Sequence, residues 1–284
     1  TNFHSNHPKF IYHLYHFINL KRFQSGSGVP TFNRNDAHEF KLTIPTNKEE
    51  QQAIAEALND ADALIASLKK LIEKKECILG SVKKNLLEVR GDNSERVVLG
   101  DIVTFGKGKH LAKSQLSESG KLPCVHYGEL FTKYDAQITE VFSHTNLDQD
   151  IVLSKGGEVL MPTSDVTPSG LAKASYLSKP NVVIGGDILI IQPHPQRLYG
   201  GFLSEVIRYL ENQILSLVSG TTVYHIYAQD MAKFVFKIPA EIRKQRQIVE
   251  TITNFRNEIT ALNKELYKAK KVKAGMMQEL LTGR

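Results

Sequence analysis

Between residues 46 and 90, apolar or small residues recur at Ile54, Leu58, Ala61, Ile65, Leu68, Ile72, Leu79, Val82 and Leu86, in steps that alternate four and three and are interrupted only at Lys75. That spacing predicts one long helix carrying an apolar stripe of heptad type. Leu64, Leu71 and Ile78 widen the stripe, as suits a helix packed on more than one neighbour. Ile44 stands before Pro45 and should be extended, and Thr46-Asn47-Lys48-Glu49 fits a capping box at the helix start. The same register returns at Ile248, Ile252, Phe255, Ile259, Leu262, Leu266, Ala269, Met276 and Leu280, with Lys273 as its polar break, Gly283 as its expected terminator and no capping box before it. Each helix should span roughly 60 Å at about 1.5 Å per residue. Neither can hide its stripe alone, so the two are expected to form an antiparallel coiled coil; the alternative is that each pairs with another molecule. Lys75 and Lys273 either fix the register, mark an opening in the seam, or snorkel out of it.

Residues 96–239 follow a different rhythm. Short apolar runs at 97–99, 102–105, 158–161, 182–184 and 187–191 read as strands, punctuated by Gly-Gly pairs at 156–157, 185–186 and 200–201. A helix is expected from about 202 to 217, with Val206, Tyr209, Leu210 and Leu217 inward; residues 9–22 hold the matching place near the N-terminus. The fold class is therefore α+β: a mixed domain plus two long helices.

The helices are part of a larger duplication. Residues 25–45 (SGSGVPTFNRNDAHEFKLTIP) and 219–239 (SGTTVYHIYAQDMAKFVFKIP) align without a gap at an offset of 194, pairing Ser25 with Ser219, Gly26 with Gly220, Val29 with Val223, Asp36 with Asp230, Phe40 with Phe234, Ile44 with Ile238 and Pro45 with Pro239. The same offset pairs Gln51 with Gln245, Ile54 with Ile248, Ile65 with Ile259, Leu68 with Leu262 and Arg90 with Arg284. A repeat this long is a domain-sized unit, far above solenoid periods of about twenty to fifty residues. The expected organisation is the tail of a first mixed domain at 1–45, a first long helix at 46–90, a complete mixed domain at 91–239 and a second long helix at 240–284. The first copy lacks the front 104 residues of the second, and the chain opens on Thr1, so an excised piece or a truncated gene product is expected.

With 284 residues, 41% of them hydrophobic, the chain can build two cores. No apolar run reaches the length of a membrane span and no signal peptide opens the sequence, which makes the cytoplasm the default location and membrane association unexpected. Cys77 and Cys124 lie far apart without a CxxC, so each is expected to be a small apolar filler. The net charge of +6 points to an anionic partner, but it is unevenly spread: +3 over 1–45, 0 over 46–90, −2 over 91–239 and +5 over 240–284. Any nucleic-acid contact by the mixed domain must come from local clusters.

Phosphate loops, nucleotide-binding glycine fingerprints, nucleophile elbows, HExxH and a Pro-Pro pair are all missing. His13 and His16 have metal-ligand spacing, but His4 and His7 repeat it near the terminus, which favours a histidine-rich bias. No active site, metal or cofactor is expected. Three polar segments remain as candidate contacts to a nucleic acid. GKGKHLAK at 106–113 brings Lys107, Lys109, His110 and Lys113 into one segment, where lysines displace counterions and glycines let backbone approach phosphate; an ordinary exposed loop is the alternative. CVHYGELFTKY at 124–134 offers His126, Tyr127, Glu129, Lys133 and Tyr134 as groups able to address base edges or phosphate, although Tyr127 is equally suited to a core. Residues 162–170 add the hydroxyls of Ser164, Thr167 and Ser169, in a segment that either reads bases or merely turns a corner.

LGDIVTFGKGKH, VHYGELFTKY, the SG(S/T) phrase running to IP, the helices EEQQAIAEAL and KQRQIVETI, and the ending MMQELLTGR, in this order and with the internal duplication, resemble the specificity subunit of type I restriction-modification systems over essentially the whole chain. The resemblance implies a target-recognition domain followed by a helical spacer in each repeat, two such units reading the halves of a split double-stranded DNA site. It also implies modification subunits that methylate adenine with S-adenosylmethionine, and restriction subunits that translocate and cut DNA. A spacer of roughly 60 Å would then hold two readers somewhat under two turns of duplex apart. The chain departs from the pattern in having one complete recognition domain. It is expected to read one half-site, or a symmetrical site if two copies form a homodimer. The basic stretch Lys268, Lys270, Lys271 and Lys273 is either a seat for the modification subunits or a solvated face. The remaining alternative is a structural protein whose helix pair recruits partners other than DNA.

Overall fold

The computed structural model describes residues 3–26, 28–88 and 94–282. It divides into two compact units, residues 1–78 with 255–284, and residues 79–254. Both long helices run through both units, so the division cuts across the expected domain limits at 45/46 and 239/240. Gly283, Arg90 and Arg284 and the expected boundary at 91 lie outside the described residues.

The first unit opens with α1 (Pro8–Ile18), the hairpin strands β1 (Gln24–Ser25) and β2 (Thr31–Phe32), the short α2 (Arg34–Glu39) and most of α3 (Lys48–Leu87). The start of α3 differs from the expected capping box. Asn47, and not Thr46, is the cap: its Oδ1 accepts from the backbone N–H of Glu49 (2.8 Å) and of Glu50 (3.4 Å), which satisfies two donors the helix cannot pair itself.

Phe10, Leu14, Ile54, Ala55, Leu58 and Leu281 form one buried cluster, joined at its edge by Met276 and Leu280. A second cluster holds Ile65, Leu68 and Ile72 against Leu266, Ile259, Leu262 and Ala269. The partners descend on the second helix, α8 (Ile242–Thr282), as they climb on α3, so the helices are antiparallel and share one apolar seam. Both polar breaks carry ion pairs across it: Lys75 Nζ lies 2.5 Å from Glu258 and Lys273 Nζ 2.5 Å from Asp62. Lys75 also sits 5.7 Å above the ring of Phe255. The added apolar positions behave differently from expectation. Leu64, Leu71 and Ile78 are exposed, because the facing helix covers only the narrow stripe and among the described residues no second neighbour covers them.

The second unit contains β3 (Ser94–Val98), β4 (Val103–Lys107), β5 (Leu122–Val125), α4 (Glu129–Thr132), β6 (Gln137–Ile138), β7 (Ser143–Thr145), β8 (Leu153–Lys155) and β9 (Glu158–Pro162). It continues through β10 (Ser164–Asp165), β11 (Ser175–Leu177), β12 (Pro180–Ile184), β13 (Ile188–Pro193), α5 (Gly200–Tyr209), α6 (Glu211–Leu215), β14 (Tyr224–His225), α7 (Ala228–Met231) and β15 (Val235–Pro239), ending in the first turns of α8. A five-stranded sheet runs β4-β13-β9-β11-β6 and a four-stranded sheet β7-β5-β12-β8; the pairs β15-β3 and β10-β14 complete the domain.

Successive residues of a strand point to opposite faces. Leu160, Ile188 and Ile190 pack with Val125, Val182 and Ile184 of the smaller sheet, while Val159, Met161, Leu189 and Ile191 pack with Phe202, Val206 and the first apolar residues of α8. The five-stranded sheet is thus a middle layer buried on both faces, which is why β9 and β13 read as unbroken apolar runs. Leu79, Leu86 and Ile248 lie at the edge of the α5-side core, and Ile252 is buried within it. The expected helix over 202–217 begins at Gly200 and is broken at Leu210.

The repeated phrase has a structural cause. Gly26 and Gly220 both adopt positive φ, +104° and +116°, and a side chain there would meet the carbonyl oxygens of Val29 and Val223 respectively. Ser25 pairs with Thr31, and Ser219 with His225, so both phrases fold into the same hairpin. A buried glutamine then ties each phrase to its helix. Gln51 donates to the carbonyl of Pro45 (2.7 Å) and accepts from the N–H of His7 (2.8 Å); Gln245 donates to Pro239 (2.9 Å) and accepts from Tyr199 (2.8 Å).

Candidate nucleic-acid interface

The segment 106–113 is built into the sheet. Gly106 pairs with Ile190, Gly108 donates to the carbonyl of Ile188 (3.0 Å) and Lys109 to that of Ile184 (3.1 Å). A Cβ on Gly108 would come within 1.9 Å of the carbonyl oxygen of Gly185. At Gly108 the open side of the glycine is filled by the backbone of Ile184 and Gly185, and not left to phosphate as expected. Lys107, Lys109, His110 and Lys113 project from this frame and are exposed. Two carry acidic partners: Lys107 lies 3.9 Å from Asp187, and Lys109 pairs with Asp150.

In the second segment, two residues are interior groups. Glu129 is 4% exposed, and its carboxylate accepts from the N–H of His126 (2.9 Å), the ammonium of Lys133 (2.7 Å) and the hydroxyl of Ser143 (2.5 Å). Tyr134 is buried and stacked 5.9 Å from Phe142; burial pushes its hydroxyl up to about 12, and its oxygen accepts from the Phe142 N–H (3.3 Å). Both hold the α4 turn against β7. Cys124 is buried as expected, its thiol also pushed up to about 12 by burial, whereas Cys77 is exposed and not a filler.

His126 and Tyr127 are half-buried. His126 Nδ1 accepts from the Gly128 N–H (3.1 Å), and burial, aided by Lys113 and opposed by Glu129, lowers the imidazole below its ordinary value. Tyr127 meets Phe131 edge-on at 6.2 Å. In the third segment Ser164 is half-buried, Thr167 and Ser169 are exposed, and Thr167 donates to Asp165 (2.7 Å).

These segments follow one line of contacts. Asp187, which pairs with Lys107, closes a turn where a Cβ on Gly186 would lie 3.4 Å from the His110 Cα and one on Gly185 3.4 Å from the His126 Cα. Beyond Tyr127 and Phe131, a Cβ on Gly170 would touch both the Phe131 ring and the Asp165 carboxylate. Two clefts open among them. One, of about 750 Å³, joins Lys107 and Ser164 to Asp187, His225, Tyr227 and Gln229; the other, of about 740 Å³, joins Lys113 and Lys133 to Ser117, Glu118 and Phe142. Sequence reasoning missed His225, Tyr227 and Gln229, which lie in the repeated phrase and were visible there only as its unrepeated positions. Among the described residues no cluster of three or more His, Cys, Asp or Glu could hold a metal, and no helix is long and apolar enough to cross a membrane.

A curated relative, the type I restriction enzyme MjaVIII specificity subunit of Methanocaldococcus jannaschii, is 26% identical over 308 residues, covering 95% of this chain and 70% of that protein. The crystal structure of the type I S subunit from M. genitalium superposes with a TM-score of 0.65 at 17% identity, covering 96% of this chain and 72% of that one. The HsdS subunit from Thermoanaerobacter tengcongensis gives 0.53 at 18%, with 97% and 70% covered. Residues 1–76 and 91–270 match the family described as type I restriction modification DNA specificity domain, and the chain belongs to that family.

Proposed function

We propose that the mixed domain reads base pairs in one half of a double-stranded DNA target, and that the helix pair anchors it within a type I restriction-modification assembly. The observation that carries this reading is the run of exposed Lys107, Lys109, His110 and Lys113, whose first member ends β4 of the sheet buried on both faces and lines one cleft with Ser164 of the polar 162–170 segment. Cations outside a rigid frame position the phosphate backbone, and short polar side chains between them meet base edges. In this reading the chain contributes no chemistry. Adenine methylation with S-adenosylmethionine falls to modification subunits and cleavage to restriction subunits, all acting in the cytoplasm.

Exposed Leu64, Leu71 and Ile78 on α3, with Tyr267 and Val272 on α8, suit the scaffolding of the modification subunits. Lys268, Lys270 and Lys271 are exposed beside them, while Lys273 is held by Asp62. The same apolar positions favour a second reading, a scaffold without DNA contact. Selection from a pool of randomised duplexes separates the two: the full chain should enrich a defined half-site, equal retention of all sequences would remove base reading, and retention of none would leave only the scaffold. If two copies associate, the enriched sequence should be symmetrical and light scattering should give twice the chain mass.

A further inference from the structure

The cleft of about 750 Å³ beside Lys107 contains three side chains that no motif pointed to, His225, Tyr227 and Gln229. They stand on a braced backbone. Ser164 pairs with His225 across β10 and β14, the Ile226 N–H donates to the carbonyl of Thr163 (3.1 Å), and the Thr163 N–H donates to that of Asp187 (2.9 Å). His225 and Tyr227, two apart on extended chain, stack with ring centroids 5.9 Å apart and planes 13° from parallel, and Tyr227 remains 49% exposed. Gln229, in the following turn, is exposed too.

The internal repeat separates frame from face at this place. The aligned phrase of the first copy builds the same glycine hairpin and the same short helix after it, and keeps Asp36, Phe40, Ile44 and Pro45 where the second has Asp230, Phe234, Ile238 and Pro239. Where the second copy turns His225, Tyr227 and Gln229 into the cleft, the first has Thr31, Asn33 and Asn35. Folding requirements account for the shared residues; they do not account for three polar or aromatic side chains lining the cleft that differ.

We infer that this cleft receives base edges of the duplex and that Tyr227 and Gln229, with His225 stacked behind them, set the preferred base at one or two adjacent positions of the half-site. The inference rests on the DNA-reading function proposed above. The chemistry is suited to direct readout: an amide offers a donor and an acceptor side by side, a phenol offers both on one oxygen, and a rigid frame removes the cost of ordering them on contact. Lys107 at the rim, held by Asp187, would swing to phosphate without carrying sequence information.

The test is a randomised-duplex selection run in parallel with the full wild-type chain, Tyr227→Ala and Gln229→Ala. Both substitutions are at exposed positions, and thermal unfolding would verify the fold. The expected result is an unchanged motif except at one or two neighbouring base pairs, where preference for the selected base falls by roughly 5- to 150-fold while binding to random duplex is retained. A wild-type motif reproduced at every position by both variants overturns the inference and leaves the DNA-reading function standing. A uniform loss across all positions also overturns it, since that marks backbone positioning. Failure of the wild type to enrich any motif removes the function and the inference together.

Discussion

Glu129 shows how burial decides the role of a residue whose type suggests another. Its carboxylate takes three donors inside the domain, so Glu129→Ala should leave the His126 N–H and the Ser143 hydroxyl without their acceptor and cost about 1–3 kcal/mol per unsatisfied group, read by urea unfolding. His13 is another buried group with a measurable signature. Its Nε2 lies 3.1 Å from Asn59 Oδ1, and burial is the main cause that lowers its pKa, with Lys273 and His16 in the same direction and Asn59 and Asp62 opposing. The unfolded chain therefore binds a proton more readily than the folded one. Stability linked to His13 should be fully present above its ordinary value of about 6.5 and fall as pH drops from there through the lowered folded value. Urea midpoints between pH 7.5 and 5 should show the decline, and His13→Gln should flatten it.

The long helices carry the argument from residues to elements. Leu58 is fully buried where the seam meets α1, so Leu58→Ala should cost about 2–5 kcal/mol in denaturant unfolding. The ion pairs at the polar breaks are worth less, because their side chains remain partly exposed: about 0.2–1 kcal/mol for Lys75 with Glu258. Their use is in register. Lys75→Glu should lower stability by opposing two carboxylates, and adding Glu258→Lys should recover most of the loss; a double variant no more stable than the single one would mean the pair is incidental. The stripe that places these residues was legible because burial on a helix follows a period. Leu64, Leu71 and Ile78 were misjudged because a pattern shows which positions are apolar and not how wide a neighbour covers them. The expected cap lay one position too early for a similar reason, since Thr46 and Asn47 both satisfy the chemistry and only backbone geometry selects between them.

At the scale of the whole molecule, DNA binding should weaken steeply with salt, with a slope that falls by roughly 0.9 for each phosphate contact removed. Lys107→Glu with Lys109→Glu should flatten that slope and abolish retention at moderate salt, measured by fluorescence anisotropy; an unchanged slope would move the interface to the Lys113–Lys133 cleft. Much of the architecture was written in order and period along the chain. The 194-residue repeat follows from identities at a fixed offset, and the two rods and the doubly buried strands β9 and β13 from local patterns, because hydrophobic burial leaves a period on a long helix and an unbroken apolar run on a strand covered on both faces. Short strands such as β6, β7, β8 and β11 left none, being too brief and too polar for a period to develop. The candidate interface divides in the same way. The sequence alone determined that the chain duplicates one frame and carries lysines and hydroxyls in particular segments. Only the tertiary structure decided that Glu129 and Tyr134 face inward, that the backbone of Ile184 and Gly185 fills the open side of Gly108, and that Lys107, Ser164 and Gln229, far apart in the chain, line one cleft, because which surfaces meet depends on how sheets stack and strands pair across long separations.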